Sequence, residues 1–188
     1  MGPESEVQLW QRSLRGDGSA FGQIFDEHRA RLFRAALRIA PTAADAEDLV
    51  AATFLELWRA GNRVRVVDES LLPWMLVTLN NLGRNAARAR RRYRRFLAAL
   101  PQPGLEDVAL DEVEQLDSQR EAVALLRALP EKDAAILALT ALEGYSIGDA
   151  GAALGISAES ARARLSRARR RATTHVTAST ITTEGQVS

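Results

Sequence analysis

Between Ser157 and Arg171 the chain carries six arginines, Arg162, Arg164, Arg167, Arg169, Arg170 and Arg171, and no acid after Glu159. A guanidinium presents its donors as a planar fork that matches a phosphate or the edge of a guanine. A second block, Arg84, Arg88, Arg90, Arg91, Arg92, Arg94 and Arg95, stands in the first half of the chain. Acids gather between the two: Glu106, Asp107, Asp111, Glu112, Glu114, Asp117 and Glu121. Two basic regions with an acidic connector read as two separate contacts with a polyanion. The plainer reading is three solvated helix faces, and coding bias in a GC-rich genome would also enrich arginine and alanine. Lys132 is the only lysine, and the net charge of the whole is only +1.

The elements that must position these arginines are helices. The 188 residues are rich in Ala, Leu and Arg, only 5% are aromatic, and Val or Ile runs are scarce, a mix that favours helix over strand. The expected fold class is all-α, in two small helical domains joined by a flexible linker. Residues 5–15 read as a short helix ended by Gly16-Asp17-Gly18. A second, about 19–40, carries a broad apolar stripe of Phe21, Ile24, Phe25, Leu32, Phe33, Ala36, Leu37 and Ile39. Thr42 and Asp45 form a capping box for a third, which Gly61 stops. A loop follows, and Pro73 suits the first turn of a fourth helix that bears the first arginine block. The break PQPG at 101–104 sets the domain boundary. The expected division is 5–100, a linker at 101–112, 113–172, and a disordered Thr-rich tail at 173–188.

The stretch SIGDAGAALGISAESARARLSRARRR, 146–171, reads as a helix-turn-helix. Ser146 and Asp149 make a second capping box, Gly155 supplies the left-handed turn, and Ser157 caps the next helix. Ala161, Leu165 and Ala168 fall at i, i+4 and i+7, so they share one inward face. Glu159, Ala163, Ser166, Arg167 and Arg170 point the other way, flanked by Ser160, Arg162 and Arg164. Such a second helix can enter the DNA major groove. Arg162 or Arg167 would read guanine edges, while Arg164, Arg169, Arg170 and Arg171 would hold phosphates. Gly151 and Ala153 let the two helices approach closely.

Several function classes are disfavoured. There is no cysteine, which removes disulfides, thiol sensing and Cys-ligated zinc. The histidines are His28, expected to be a partly exposed helix residue, and His175 in the tail. With no nucleophile elbow, phosphate loop or metal-spaced cluster, no catalytic residue, metal site or cofactor is expected. No signal peptide or membrane-spanning stretch is evident, so a soluble cytoplasmic location without membrane insertion is expected.

Two stretches together resemble one family, the extracytoplasmic-function sigma factors of bacterial RNA polymerase. AFGQIFDEHRARLFRAALRIA, DAEDLVAATFLELW and PWMLVTLNNLGRNAARARRR resemble sigma region two. LRALPEKDAAILALTALEGYSIGDAGAALGISAESARARLSRARRR resembles region four. The resemblance covers about residues 19–172 in the family's order, with no third domain between them. It implies a promoter-specificity subunit whose partners are core RNA polymerase, through the clamp of the largest subunit and the flap of the second-largest, promoter DNA, and an anti-sigma factor. Region four would read the minus-thirty-five element with Glu159, Ser160, Arg162, Ala163, Arg164, Arg167 and Arg170.

Region two would recognise and melt the minus-ten element with Asn62, Arg63, Arg65, Trp74, Asn81, Arg84, Arg88 and Arg91; residues 61–72 match the loop that captures a flipped base. Asp45, Glu47, Asp48, Leu49, Phe54 and Trp58 match the helix that grips the clamp. Of these, the acids are expected to face polymerase and Leu49, Phe54 and Trp58 to be core. The family often has Gln-Glu where this chain has Ala51-Ala52, and Arg-Asn with a later Asp where it has Asn80-Asn81 and Asn85. Two rivals stand beside this reading: a stand-alone helix-turn-helix regulator, and a sigma-like decoy that binds polymerase without opening promoters.

Overall fold

The computed structural model describes residues 4–98, 124–126 and 128–184, with side chains to Thr174. The expected linker, 101–112, and most of residues 113–129 lie outside the described residues. The chain divides into two compact units, Met1–Val64 with Thr78–Gln115, and Arg65–Val77 with Leu116–Ser188. This differs from the expected boundary in assigning residues 65–77 to the second unit.

The first unit starts with α1 (Glu6–Leu14), where Ser5 and Gln8 exchange side-chain bonds to each other's backbone N–H. It buries Leu9, Trp10 and Ser13 against α2 (Gly18–Leu37). Asp17 caps α2 by accepting from the N–H of Ser19 and of Ala20. The Ser19 hydroxyl, then Arg12, hold the Asp17 carboxyl well below the usual carboxylate range. Thr42 accepts from the Asp45 N–H at 3.0 Å and opens α3 (Ala43–Ala60). Gly61, at φ 53°, stops α3 and begins a single 3-10 turn, Gly61–Arg63. Ile24, Leu32 and Leu57 are fully buried between α2 and α3. Each fully buried Leu or Ile contributes about 1.5–3 kcal/mol relative to exposure.

Residues 64–71 form a tight reversal. Val67 and Ser70 exchange both backbone hydrogen bonds, and the two residues between them, Asp68 and Glu69, have φ of 50° and 55°. That is a type I′ hairpin turn, normally built with Asn-Gly. Asp tolerates the left-handed region; Glu pays for it sterically. Helix α4 (Leu72–Ala98) follows and carries the first arginine block.

In the second unit, Pro130 precedes α5 (Glu131–Leu137), which widens into a π-helical turn, Ala138–Leu142. The Thr140 hydroxyl donates to the Ile136 carbonyl there at 2.8 Å. Ser146 caps α6 (Ile147–Leu154), Gly155 ends it at φ 65°, and Ser157 accepts from the Ser160 N–H to open α7 (Ala158–Glu184). Helix α7 therefore runs on to Glu184, where a disordered tail from 173 was expected. The Thr173 and Thr174 hydroxyls bond back to the carbonyls of Arg169 and Arg170, so these threonines satisfy themselves within the helix instead of breaking it. Among the described residues no helix is long and apolar enough to cross a membrane.

Candidate DNA- and polymerase-binding surfaces

The helix-turn-helix forms as its sequence implies. Ala161, Leu165 and Ala168 are buried to 3% exposure or less. Gly151 is the close-approach point: a Cβ there would lie 3.1 Å from the Ala161 Cβ and 3.2 Å from the Ile156 carbonyl oxygen. On the opposite side of α7, Glu159, Ser160, Arg162, Ala163, Arg167 and Arg170 are all exposed and share one surface. Arg164 is different. Its Nη1 donates to Asp133 Oδ1 at 3.0 Å, and Arg171 Nη1 donates to Asp133 Oδ2 at 3.1 Å. Two arginines expected to hold phosphates are thus already paired with a buried acid of α5.

Of the residues expected at the minus-ten element, Asn62, Arg63, Arg65, Arg88 and Arg91 are exposed, and Trp74, Asn81 and Arg84 are half-buried. Arg63 donates to the carbonyls of Arg59 and Ala60, so its guanidinium also caps the end of α3. Arg88 donates to the Asn85 side chain. Asn81 Oδ1 is buried without a hydrogen-bond partner, which puts that oxygen out of reach of a DNA base. Sequence reasoning missed Tyr93 and Phe96, both more than 60% exposed within the arginine block of α4. Exposed rings among guanidiniums are suited to stacking on unpaired bases. The signal that would have found them is an aromatic pair at i, i+3 inside a run that otherwise has no apolar side.

On α3, Glu47 and Asp48 are exposed. Asp45 is occupied: Thr42 Oγ1 donates to its Oδ2 at 2.7 Å and Arg90 Nη1 of α4 donates to its Oδ1 at 2.8 Å. Phe54 is core, as expected, at 4% exposure, and Leu49 is half-buried beside Gly83. Trp58 is not core. It is 53% exposed, its ring meeting Phe21 edge-on at 5.3 Å, because it lies one turn beyond Phe54, near the helix end. Beside these residues, Phe25, Arg29, Ala30, Phe33, Arg34, Glu47, Val50 and Ala51 line a groove of about 470 Å³ between α2 and α3. Its floor is apolar and its rim charged, and the short side chain of Ala51 keeps it open.

His28 is buried at 5% exposure, a correction to the expectation of a partly exposed residue, and its Nε2 lies 2.7 Å from Glu6 Oε1. Among the described residues, these two and Glu27 form the group that could gather a cation, their donor atoms lying within 4.8 Å of one another. The 2.7 Å separation is that of a direct hydrogen bond joining α1 to α2.

Comparisons with known proteins find two family models in the chain. Residues 24–93 match the family model for sigma-70 region 2, and residues 119–171 that for sigma-70 region 4. The chain is 30% identical over 169 residues to the ECF RNA polymerase sigma factor SigM of Mycobacterium tuberculosis, covering 89% of this chain and 82% of that protein. It is 29% identical over 180 residues to the RNA polymerase sigma factor NccH of Alcaligenes xylosoxydans xylosoxydans, covering 91% and 94%. Among solved structures it is similar to CnrH, determined in complex with the cytosolic domain of CnrY, with a TM-score of 0.58, 25% identity, and coverage of 93% and 97%.

Proposed function

The chain belongs to the extracytoplasmic-function sigma factors of bacterial RNA polymerase, and on that footing we propose how its two basic helices divide the work. As a sigma factor it binds core polymerase and promoter DNA and directs initiation; the family is one of transcription initiation factors, not of known enzymes. The exposed face of α7, with Arg162, Arg167 and Arg170, enters the major groove at the minus-thirty-five element. The loop from Asn62 with Arg65, and the arginines of α4 with Tyr93 and Phe96, hold the melted minus-ten element. Glu47, Asp48 and Trp58 of α3 face the clamp of the largest subunit, and the helix-turn-helix region, 113–172, meets the flap. Asp45 acts inside the fold, bracing α4. The boundaries follow: 5–100 works as region two, 113–172 as region four, in the cytoplasm with polymerase. An anti-sigma factor covers the same faces when the protein is idle, in line with the complex in which the relative CnrH was solved.

The observation that carries this reading is the pairing, in one chain, of a groove-ready helix-turn-helix with a helix that exposes acids and a tryptophan. Run-off transcription tests it: purified protein and core polymerase on fragmented genomic DNA from its source, with RNA ends sequenced. Initiation at sites sharing two motifs about two turns of DNA apart is expected. Tight binding to core polymerase without initiation would favour the decoy. Polymerase-independent binding to a two-fold symmetric duplex would favour the stand-alone regulator.

A further inference from the structure

Asp133 stands in the first turn of α5, where an acid suits the helix dipole and ordinarily faces water. Here its side chain is only 3% exposed, and each carboxylate oxygen takes a different arginine of α7. Arg164 and Arg171 are two helical turns apart and flank the buried Ala168 at i, i+4 and i+7, so both lie on the side of α7 turned to α5. Arg162, Arg167, Arg169 and Arg170 are exposed and, among the described residues, have no ion pair to α5. The Arg164 and Arg171 side chains are 31% and 51% exposed, so what sets these two apart is their pairing with Asp133 and not burial.

We infer that Asp133 is a positioning residue for promoter recognition: it serves as an internal stand-in for a DNA phosphate, holding Arg164 and Arg171 against α5 so that α7 meets DNA without them. The inference rests on the reading of α7 as the recognition helix. A buried carboxylate is tolerated only while it is paired. Were the two arginines to leave for phosphates in the groove, Asp133 would be stranded without water or partner, so the internal pairing prevails. Two consequences follow. The roll of α7 about its axis is fixed by a fork of two ion pairs, which keeps the exposed arginines on one face. The helix also makes fewer sequence-blind phosphate contacts than its arginine count suggests. Each such contact adds salt-dependent affinity for any duplex. A factor that reads promoters as part of polymerase gains selectivity by having less of it.

The test is the salt dependence of binding of the full-length chain to a labelled, mixed-sequence duplex of about 30 base pairs, between about 50 and 200 mM salt, with thermal melts as fold controls. Arg170→Gln removes an exposed phosphate contact, and the log–log slope should become shallower by about 0.9. Arg164→Gln and Arg171→Gln should each leave the slope at its wild-type value while lowering the melting temperature. Asp133→Asn keeps the shape but releases the arginines. Its slope should steepen by up to about 1.8, so that it loses roughly tenfold more affinity than wild type across that salt range. A slope flattened by Arg164→Gln or Arg171→Gln as much as by Arg170→Gln would mean that those arginines already hold phosphates, and would overturn the inference. A wild-type slope for well-folded Asp133→Asn would overturn it too. Should Asp133→Asn melt below the assay temperature, the single arginine variants decide alone. If Arg170→Gln and Arg162→Gln also leave the slope unchanged, the recognition-helix reading itself fails and the inference falls with it, a pattern distinct from the other two.

Discussion

Asp45 and Asp133 each bind arginine from the basic helix of their own unit: Asp45 takes Arg90 of α4 at 2.8 Å, and Asp133 takes Arg164 and Arg171 of α7 at 3.0 and 3.1 Å. Their surroundings differ. The Asp45 and Arg90 side chains are each 35% exposed, and Asp45 has the Thr42 hydroxyl as a second donor. Asp133 has almost no access to water. The same chemical pair is therefore an adjustable brace in one unit and an obligatory one in the other. An exposed pair trades against hydration and is worth little, whereas a buried acid must have its partners. Sequence position does not reveal which is which, since both acids lie in the first turn of a helix.

The comparison breaks most visibly if the arginines are removed from the buried acid. Arg164→Ala with Arg171→Ala should destabilise the second unit by about 3 kcal/mol, read as a drop in urea midpoint; a loss below about 1 kcal/mol would mean that water reaches Asp133. Close approach contrasts the units next. Gly151→Ala forces a methyl against backbone and an alanine that cannot yield, and a net cost of about 1–2 kcal/mol is expected after the gain in helix propensity. Gly83→Ala clashes with the tip of Ile39, at 2.7 Å, and otherwise meets Ile39 Cγ1 at 3.4 Å and Leu49 Cδ1 at 3.6 Å. The clashing atom is the end of a side chain that can rotate away, so its melting temperature should stay near wild type. Asp45→Asn should cost at most about 1 kcal/mol and weaken binding to core polymerase less than Glu47→Lys or Asp48→Lys, measured by fluorescence anisotropy. The last effect has the opposite sign. Glu69→Gly relieves the left-handed strain in the I′ turn and should stabilise by about 0.5 kcal/mol, visible as a small rise in melting temperature.

What could be read from the sequence was local. Thr42, Ser146, Gly61 and Gly155 act within one helical turn of their own positions, so their caps and stops were legible. The inward stripe Ala161, Leu165, Ala168 was legible for the same reason, since a period of 3.6 needs no partner to be seen. Trp58 misled because periodicity assigns a face but not where the neighbouring helix ends. The fate of Arg164 was hidden because its partner is 31 residues away, and an acid in the first turn of a helix has a sufficient local explanation in the dipole. The Asp68-Glu69 turn was hidden because neither residue advertises a positive φ as Asn-Gly would. The π turn after α5 leaves no mark in the pattern of apolar residues.

The cations of α4 and α7 are all guanidiniums, and Lys132, exposed at the start of α5, is the single side-chain amine. Acetyl-transfer enzymes loosen many DNA-binding surfaces by neutralising amines, a chemistry to which arginine does not respond. The cations of α4 and α7 are therefore closed to that form of metabolic control, and the same isolation makes Lys132 the one side chain that an amine-reactive dye or tether can take.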